Sequence, residues 1–133
     1  MDEARLIEMS ASPVLRALRG ATTLDSDSRA EMIERVTELL AALFERNDVG
    51  HDDLVSIIFT ATDDLHSMFP AEAARTLGIS DVPLMCAREL DIDGATTMCV
   101  RIMVHAYSTR PRAEIEHVYL RRATALRPDI AKK

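Results

Sequence analysis

One long amphipathic segment limits what this chain can fold into more than any other feature. Between Asp25 and Arg46, apolar residues recur at steps of three and four, which places them on one face of an α-helix. The acidic and hydroxyl residues at 25–28 supply N-cap oxygens, and Asn47 and Gly50 mark the end. A helix with one apolar face packs against another layer, which the rest of the chain must supply.

The other patterned segments predict that this layer is a sheet. Leu54–Ala61 is short, rich in branched residues and flanked by aspartates, which is typical of a largely buried strand. Met98–Tyr107 alternates two sets of residues with a period of two, as a strand does. His117–Leu126 is also strand-like, and Leu15–Leu24 is a weaker strand candidate that contains Gly20.

A second helix is predicted to be short. Pro70 stands at a first helical position, good helix formers follow as far as Arg75, and Gly78 ends the segment. The order of strand, long helix, strand, short helix and further strands predicts an α+β fold, in which a helix covers one face of a mixed sheet. The other face is left open, so self-association into a closed oligomer is expected.

Length and composition exclude several classes of protein. A chain of 133 residues with 47% hydrophobic residues supplies one compact core. We therefore expect one domain over 13–133, preceded by an N-terminal extension over 1–12. The net charge of -6 argues against nucleic-acid binding. The apolar runs are shorter than the roughly 20 residues that span a bilayer, and the N-terminus does not resemble a secretion signal, so a cytoplasmic location is expected.

The residues that could do chemistry are mainly arginines. Cys86 and Cys99 have neither CxxC spacing nor nearby histidines, and the sequence contains no nucleophile elbow, phosphate loop or metal-ligand quartet. Covalent and metal-assisted mechanisms are therefore disfavoured, and no cofactor is expected. Arg101 lies in the middle of a predicted strand. It either extends into solvent at a sheet edge or lies buried where an anion satisfies its donors, and the pattern leaves both alternatives open.

Several separated segments, in order over about residues 14–130, share one resemblance. They are Arg19–Thr23, Ala61–His66 running into Phe69–Ala71, Val82–Asp91, Cys99–Met103, His117–Leu120 and Leu126–Asp129. In these segments the chain resembles the monofunctional, AroH-type chorismate mutases. The resemblance implies an isomerase that converts chorismate to prephenate in phenylalanine and tyrosine biosynthesis. It also implies a homotrimer folded as a pseudo-α/β barrel, with its active sites at the subunit interfaces.

The resemblance further implies a role for individual residues. Arg19 and Tyr119 would hold the side-chain carboxylate of chorismate, and Arg101 would reach the ether oxygen as well as a carboxylate. Glu89 and the backbone of Cys86 would bind the ring hydroxyl. Glu89 pairing with Arg88 or Arg101 on a solvated surface is the alternative. The other substrate-binding residues implied by the resemblance are Phe69, Arg75, Leu84, Met85, Leu126 and Arg127.

This reaction explains the absence of the usual catalytic motifs. A Claisen rearrangement is unimolecular and needs no nucleophile, proton transfer or cofactor. The protein must select a compact conformer of the substrate and stabilise negative charge on the ether oxygen, and a forked, permanently charged guanidinium suits both tasks. One departure stands out: Glu72 lies where related enzymes can carry a lysine near the cleft entrance. We therefore expect weaker capture of the dianionic substrate.

Other functions fit parts of the sequence. A non-catalytic module on the same fold could bind chorismate or a related dianion, although the joint presence of Arg19, Glu89, Arg101 and Tyr119 speaks against it. An imine or enamine hydrolase on a similar trimeric scaffold would also use a cleft arginine to hold a carboxylate, but it would ignore chorismate. A purely structural protein would leave several arginines facing its core without partners, which is costly.

Overall fold

The computed structural model describes residues 12–127, which form a five-stranded mixed sheet with the order β3-β2-β4-β1-β5. The central strand β4 is antiparallel to both neighbours, whereas β3 and β5 pair in parallel with β2 and β1. The strands are β1 Val14–Thr23, β2 Leu54–Ala61, β3 Leu84–Arg88, β4 Cys99–Ser108 and β5 Val118–Tyr119, and the α-helices are α1 Arg29–Asn47 and α2 Pro70–Arg75. Short 3-10 helices lie at His51–Asp53, Arg112–Glu114 and Arg121–Leu126.

Helix α1 is the long amphipathic helix that the sequence predicts. It begins after Ser28, whose hydroxyl accepts the Glu31 N–H at 3.1 Å. It ends at Asn47, and the next residue, Asp48, adopts the left-handed conformation with φ 55°. The apolar face is buried on the sheet through Met32, Val36, Leu39, Leu40 and Leu43. Burial of this face, more than intrinsic helix propensity, holds the two layers together.

The two faces of the sheet differ in burial along most of the central strand β4. On β4, Val100, Ile102, Val104 and Ala106 are buried in the core beneath α1. The residues between them point to the opposite face, which none of the described helices covers to the same extent and which we call the open face. The alternation predicted over Met98–Tyr107 is therefore confirmed, with the strand displaced by one residue.

Gly20 allows α1 to lie close to β1. A Cβ atom at this position would meet Leu43 Cδ1 at 2.9 Å, Leu39 Cδ1 at 3.0 Å and the Val118 carbonyl oxygen at 3.2 Å. The absence of a side chain therefore permits both the helix packing and the approach of β5. Gly20 also precedes Ala21, which pairs with Tyr119 of β5.

The end of α1 is tied to the segment that leads into β5. Asn47 is 1% exposed, and its side-chain N–H groups donate to the Leu43 carbonyl at 2.9 Å and the Glu116 carbonyl at 2.8 Å. Its Oδ1 accepts the Glu116 N–H at 2.7 Å. A buried amide with these partners fixes the chain just before Val118.

The structure confirms the predicted α+β class, the mixed sheet and the strands near 15–24 and 54–61. The strand predicted over His117–Leu126 is wrong beyond β5. Arg121 takes a positive φ of 53°, and the chain then turns into a 3-10 helix. Strand β3 was not predicted as an element. The N-terminal extension predicted over 1–12 lies outside the described residues apart from Ser12.

Candidate active site

The open face holds a cavity of about 270 Å³ that gathers charged side chains from several strands. Arg19 comes from β1, Thr60 from β2, Arg101 from β4 and Tyr119 from β5, and Glu89 follows β3. The register explains this convergence, because Arg101 pairs with Ala21 on one side and Thr60 on the other, while Ala21 pairs with Tyr119. We call this space the open-face cavity.

Arg101 occupies neither of the two environments that the sequence left open. Strand β4 is the third of five strands, so the side chain does not lie at a sheet edge. It is not buried either, since 47% of the side chain is exposed. Arg101 is held on the uncovered face, where its guanidinium lines the cavity and contacts Glu89 with a separation of 3.3 Å from Nε to Oε2. A guanidinium in this position can fork onto an anionic ligand.

Glu89 is fixed by two further contacts. Its backbone N–H donates to the Ala61 carbonyl at 3.0 Å, and its carboxylate accepts the Thr60 hydroxyl at 2.6 Å. Arg88 takes no part in this arrangement, because it forms two hydrogen bonds of 2.6 Å with Asp63 instead. Of the two surface pairings considered for Glu89, the one with Arg101 is present and lies at the cavity, where the Glu89 side chain is only 21% exposed.

The side chain of His117 supports the backbone of Arg19 through a hydrogen bond. The Arg19 N–H donates to His117 Nδ1 at 2.9 Å, so the neutral imidazole carries its proton on Nε2. Burial lowers the pKa of His117, and the positive charges of Arg19 and Arg127 lower it further. The ring is therefore kept neutral, which preserves its role as an acceptor for the Arg19 backbone.

Tyr119 joins the wall of the open-face cavity to a small apolar cluster. Tyr119 is 7% exposed and packs with Ala21, Cys99 and Ala123, and Leu126 packs against this group. Burial raises the pKa of the Cys99 thiol to about 11. The thiol is therefore protonated at neutral pH and behaves as a small apolar side chain.

A second cavity, of about 490 Å³, lies between β3 and the segment that leads into α2. Phe69, which is 66% exposed, and Cys86 line it. Arg29 and Glu72 also line this space, which we call the loop-side cavity. The backbone N–H groups of His66 and Ser67 donate to Asp27 at 3.0–3.1 Å, so this segment is attached to the start of α1.

The remaining predicted site residues are not among those that line these two cavities. Leu84 packs against the main core, whereas Met85 is 64% exposed on the opposite face of β3. Arg75 is exposed at the end of α2. Arg127 is the last described residue. Within one chain, Glu89 lines the open-face cavity, whereas Cys86 lines the loop-side cavity. Among residues 12–127, no cluster of three or more histidine, cysteine or acidic side chains could hold a metal ion.

Comparison with known proteins identifies the family. The sequence profile of chorismate mutase type I matches residues 15–130. The chain belongs to this family. It is 38% identical over 119 residues to the chorismate mutase AroH of Bacillus subtilis (strain 168), covering 89% of this chain and 94% of the relative. It is 39% identical over 118 residues to the chorismate mutase AroH of Thermus thermophilus, covering 88% and 97%.

A solved structure agrees with this assignment. A chorismate mutase from Clostridium thermocellum, Cth-682, superimposes with a TM-score of 0.81 at 40% identity, covering 83% of this chain and 98% of that one. Three residues that the sequence did not assign to the site contact residues that it singled out. Thr60 and His117 support Glu89 and Arg19 through hydrogen bonds, and Arg29 lies beside Glu72. Strand alternation could have placed Thr60 on the open face, whereas no local pattern indicates the other two contacts.

None of the helices in the described part of the chain is long and apolar enough to cross a membrane.

Proposed function

We propose that this chorismate mutase converts chorismate to prephenate with Arg101 as the central electrostatic group. The observation that carries the assignment is the position of Arg101. Its guanidinium is held in the middle of the sheet, at a cavity that also contains Arg19, Glu89 and Tyr119. This set offers two cations, one carboxylate and one phenol to a ligand, which suits a substrate with two carboxylates, an ether oxygen and a hydroxyl.

The reaction needs little beyond orientation and charge. The ether carbon–oxygen bond breaks while a carbon–carbon bond forms within the same molecule, so no atom or proton is exchanged with the protein. Arg19 and Tyr119 hold the side-chain carboxylate and thereby favour the compact conformer. Arg101 donates to the ether oxygen as negative charge develops there, which is the interaction that is stronger in the transition state than in the ground state.

In this proposal, the Glu89 carboxylate accepts a hydrogen bond from the ring hydroxyl of chorismate. Thr60 and Arg101 already bind the Glu89 carboxylate, and these contacts restrict its position before the substrate arrives. A carboxylate has about four lone-pair sites, so it can accept the substrate hydroxyl while it keeps these partners. No proton transfer from Glu89 is required.

We further propose that the active sites form between the subunits of a homotrimer with the barrel-like arrangement of the family. The open face exposes large apolar side chains, which an oligomer would bury: Leu15, Ile58, Met85 and Tyr107. The open-face cavity of one subunit would adjoin the loop-side cavity of its neighbour. This arrangement would bring Phe69 and the backbone of Cys86 to the same substrate as Glu89.

The outer boundary of the site follows from the same arrangement. Leu84, Met85 and Leu126 would pack against the substrate, and Arg75 and Arg127 would lie near the mouth. Production of prephenate would place the enzyme in phenylalanine and tyrosine biosynthesis, in the cytoplasm and without a cofactor.

The first experiment is a spectrophotometric assay of chorismate loss, with prephenate confirmed as the product. Arg101→Ala should lower kcat by roughly 10²–10³-fold, the usual loss when one charge-stabilising donor is removed. Arg46→Ala removes an exposed charge from the end of α1 and should leave kcat unchanged. Sedimentation should give a trimer for all three proteins. A folded wild-type trimer that binds chorismate without turnover would replace this proposal with the dianion-binding module.

A further inference from the structure

One cation at the rim of the loop-side cavity has no part in the proposed chemistry. Arg29 lines this cavity together with Phe69 and Glu72, and 63% of its side chain is exposed. Arg29 Nη2 lies 3.3 Å from Glu72 Oε2, so the two side chains meet between the start of α1 and the first turn of α2. The contact joins residues that are 43 positions apart in sequence.

Helix stability does not explain an arginine at this position. Arg29 is the first residue of α1, where the aligned peptide dipoles leave partial positive charge. A cation there is disfavoured, whereas an acidic residue such as Glu31, in the same turn, is favoured. An exposed ion pair such as Arg29–Glu72 contributes little in return. The charge of Arg29 therefore adds almost nothing to the stability of the folded domain. Its position at the loop-side cavity points instead to a role in ligand binding.

The second arginine at this cavity is engaged differently. Arg88 donates two hydrogen bonds of 2.6 Å to the Asp63 carboxylate, in a forked arrangement that uses two of its nitrogen atoms. This pair holds the Arg88 side chain in one place. The longer, single contact from Arg29 to Glu72 leaves other guanidinium N–H groups directed at solvent or at an incoming ligand.

We infer that Arg29 is a capture residue for the dianionic substrate, and that Glu72 holds it at the rim of the loop-side cavity. The inference rests on the proposed function, because this cavity would form the neighbouring wall of the active site. It also changes the meaning of Glu72. The sequence predicted that Glu72 repels the substrate, whereas in the structure its charge is adjacent to that of Arg29 and positions it.

Capture and chemistry are separable in this arrangement. Arg29 attracts the substrate before and during binding, so its loss should raise KM with little change in kcat. The chain carries a net charge of -6, and a local cation is needed to offset this field at the entrance. One unit charge near a carboxylate in water is equivalent to about a fivefold change in affinity. Such an interaction at a solvent-exposed rim is screened by salt.

The test measures kcat and KM for chorismate with the full-length protein at low and at high ionic strength. Arg29→Ala should raise KM about fivefold at low salt, and the difference from wild type should shrink as the Debye length falls from about 10 Å at 0.1 M to 3 Å at 1 M salt. Arg29→Lys keeps the charge and should restore KM. Arg46→Ala is the matched control, because it removes a positive charge from the opposite end of the same helix.

A companion pair of variants tests the role given to Glu72. Glu72→Gln and Glu72→Ala both remove the negative charge, but only Gln keeps an oxygen that accepts from Arg29, so KM should be higher for Glu72→Ala than for Glu72→Gln. Equal KM values for these two variants would contradict the positioning role of Glu72. Several results would overturn the inference: equal KM values for Arg29→Ala and Arg46→Ala, a loss confined to kcat, or a KM increase that Arg29→Lys does not restore. If wild-type protein does not turn over chorismate, the proposed function fails first. An active wild type with an unchanged Arg29→Ala variant contradicts the capture role alone.

Discussion

The two faces of the central sheet are built from the same strands and follow opposite rules. Beneath α1, Phe59 and Val100 are completely buried, and this face contributes to the main core. On the open face, their immediate neighbours Thr60 and Arg101 are polar or charged and line a cavity. One residue step along a strand therefore separates a position in the core from a position at the open-face cavity.

The largest expected effect lies on the covered face. Phe59→Ala should lower the free energy of unfolding by about 3–5 kcal/mol, because a fully buried aromatic ring is removed and the surrounding core collapses only in part. Urea denaturation at a fixed protomer concentration measures the change. Arg101→Ala should change this free energy by about 0.5 kcal/mol or less. Similar losses of stability in both variants would contradict the division between the faces.

An intermediate effect is expected at Gly20, where the covered face and β5 meet. Gly20→Ala should destabilise the protein by about 1–3 kcal/mol, because its methyl group would press on Leu39, Leu43 and the Val118 carbonyl oxygen. Thermal unfolding, with Ala17→Gly on the same strand as a comparison, measures the effect. Unchanged or increased stability of Gly20→Ala would mean that α1 and β5 shift away without cost.

The smallest expected effect concerns the dependence of stability on pH, through His117, which supports Arg19 of the open-face cavity. Burial, Arg19 and Arg127 lower the pKa of His117 below its ordinary value of 6.5, so the folded protein favours the neutral ring. The unfolded chain then binds the proton more readily. This contribution to stability is present above pH 6.5 and is lost as the pH falls through the lowered pKa of the folded protein.

Unfolding free energies measured between about pH 5 and pH 8 test this sign. In His117→Asn, the side-chain oxygen can still accept the Arg19 N–H but does not titrate. The wild-type protein should therefore lose more stability on acidification than this variant. Parallel pH profiles for the two proteins would show that the His117 ring does not contribute in this way.

Local sequence patterns predicted the helices and strands that bury a single face against the core. The apolar stripe of α1 and the alternation of β4 follow directly from contact with a single core. Strand β3 has no such pattern in its five residues, and it is a strand because β2 pairs with it. The 3-10 helix after β5 places Ala123 and Leu126 against Tyr119 at a spacing of three, which the sequence analysis interpreted as a strand.

The site was predictable to a similar extent. Strand alternation placed Arg101 and Val100 on opposite faces but left the burial of Arg101 open, and the resemblance supplied Arg19, Glu89 and Tyr119. The contact between Arg29 and Glu72 depends on how two helices approach each other, which no local pattern specifies. The proposed assembly of the two cavities into one site would depend on subunit contacts, which the period of a strand or helix does not specify.

Asn47 has a consequence for how this enzyme can evolve. Its buried amide ends α1 and also fixes Glu116, three residues before Tyr119. Most positions on the sheet contribute to one face, so a substitution there can be compensated within that face. Asn47 contacts both the helix that packs on the core and the segment that leads to Tyr119, to which the proposed function assigns substrate binding. Mutational drift at this position is therefore constrained from both directions, and adaptation of the active site has to proceed through other residues.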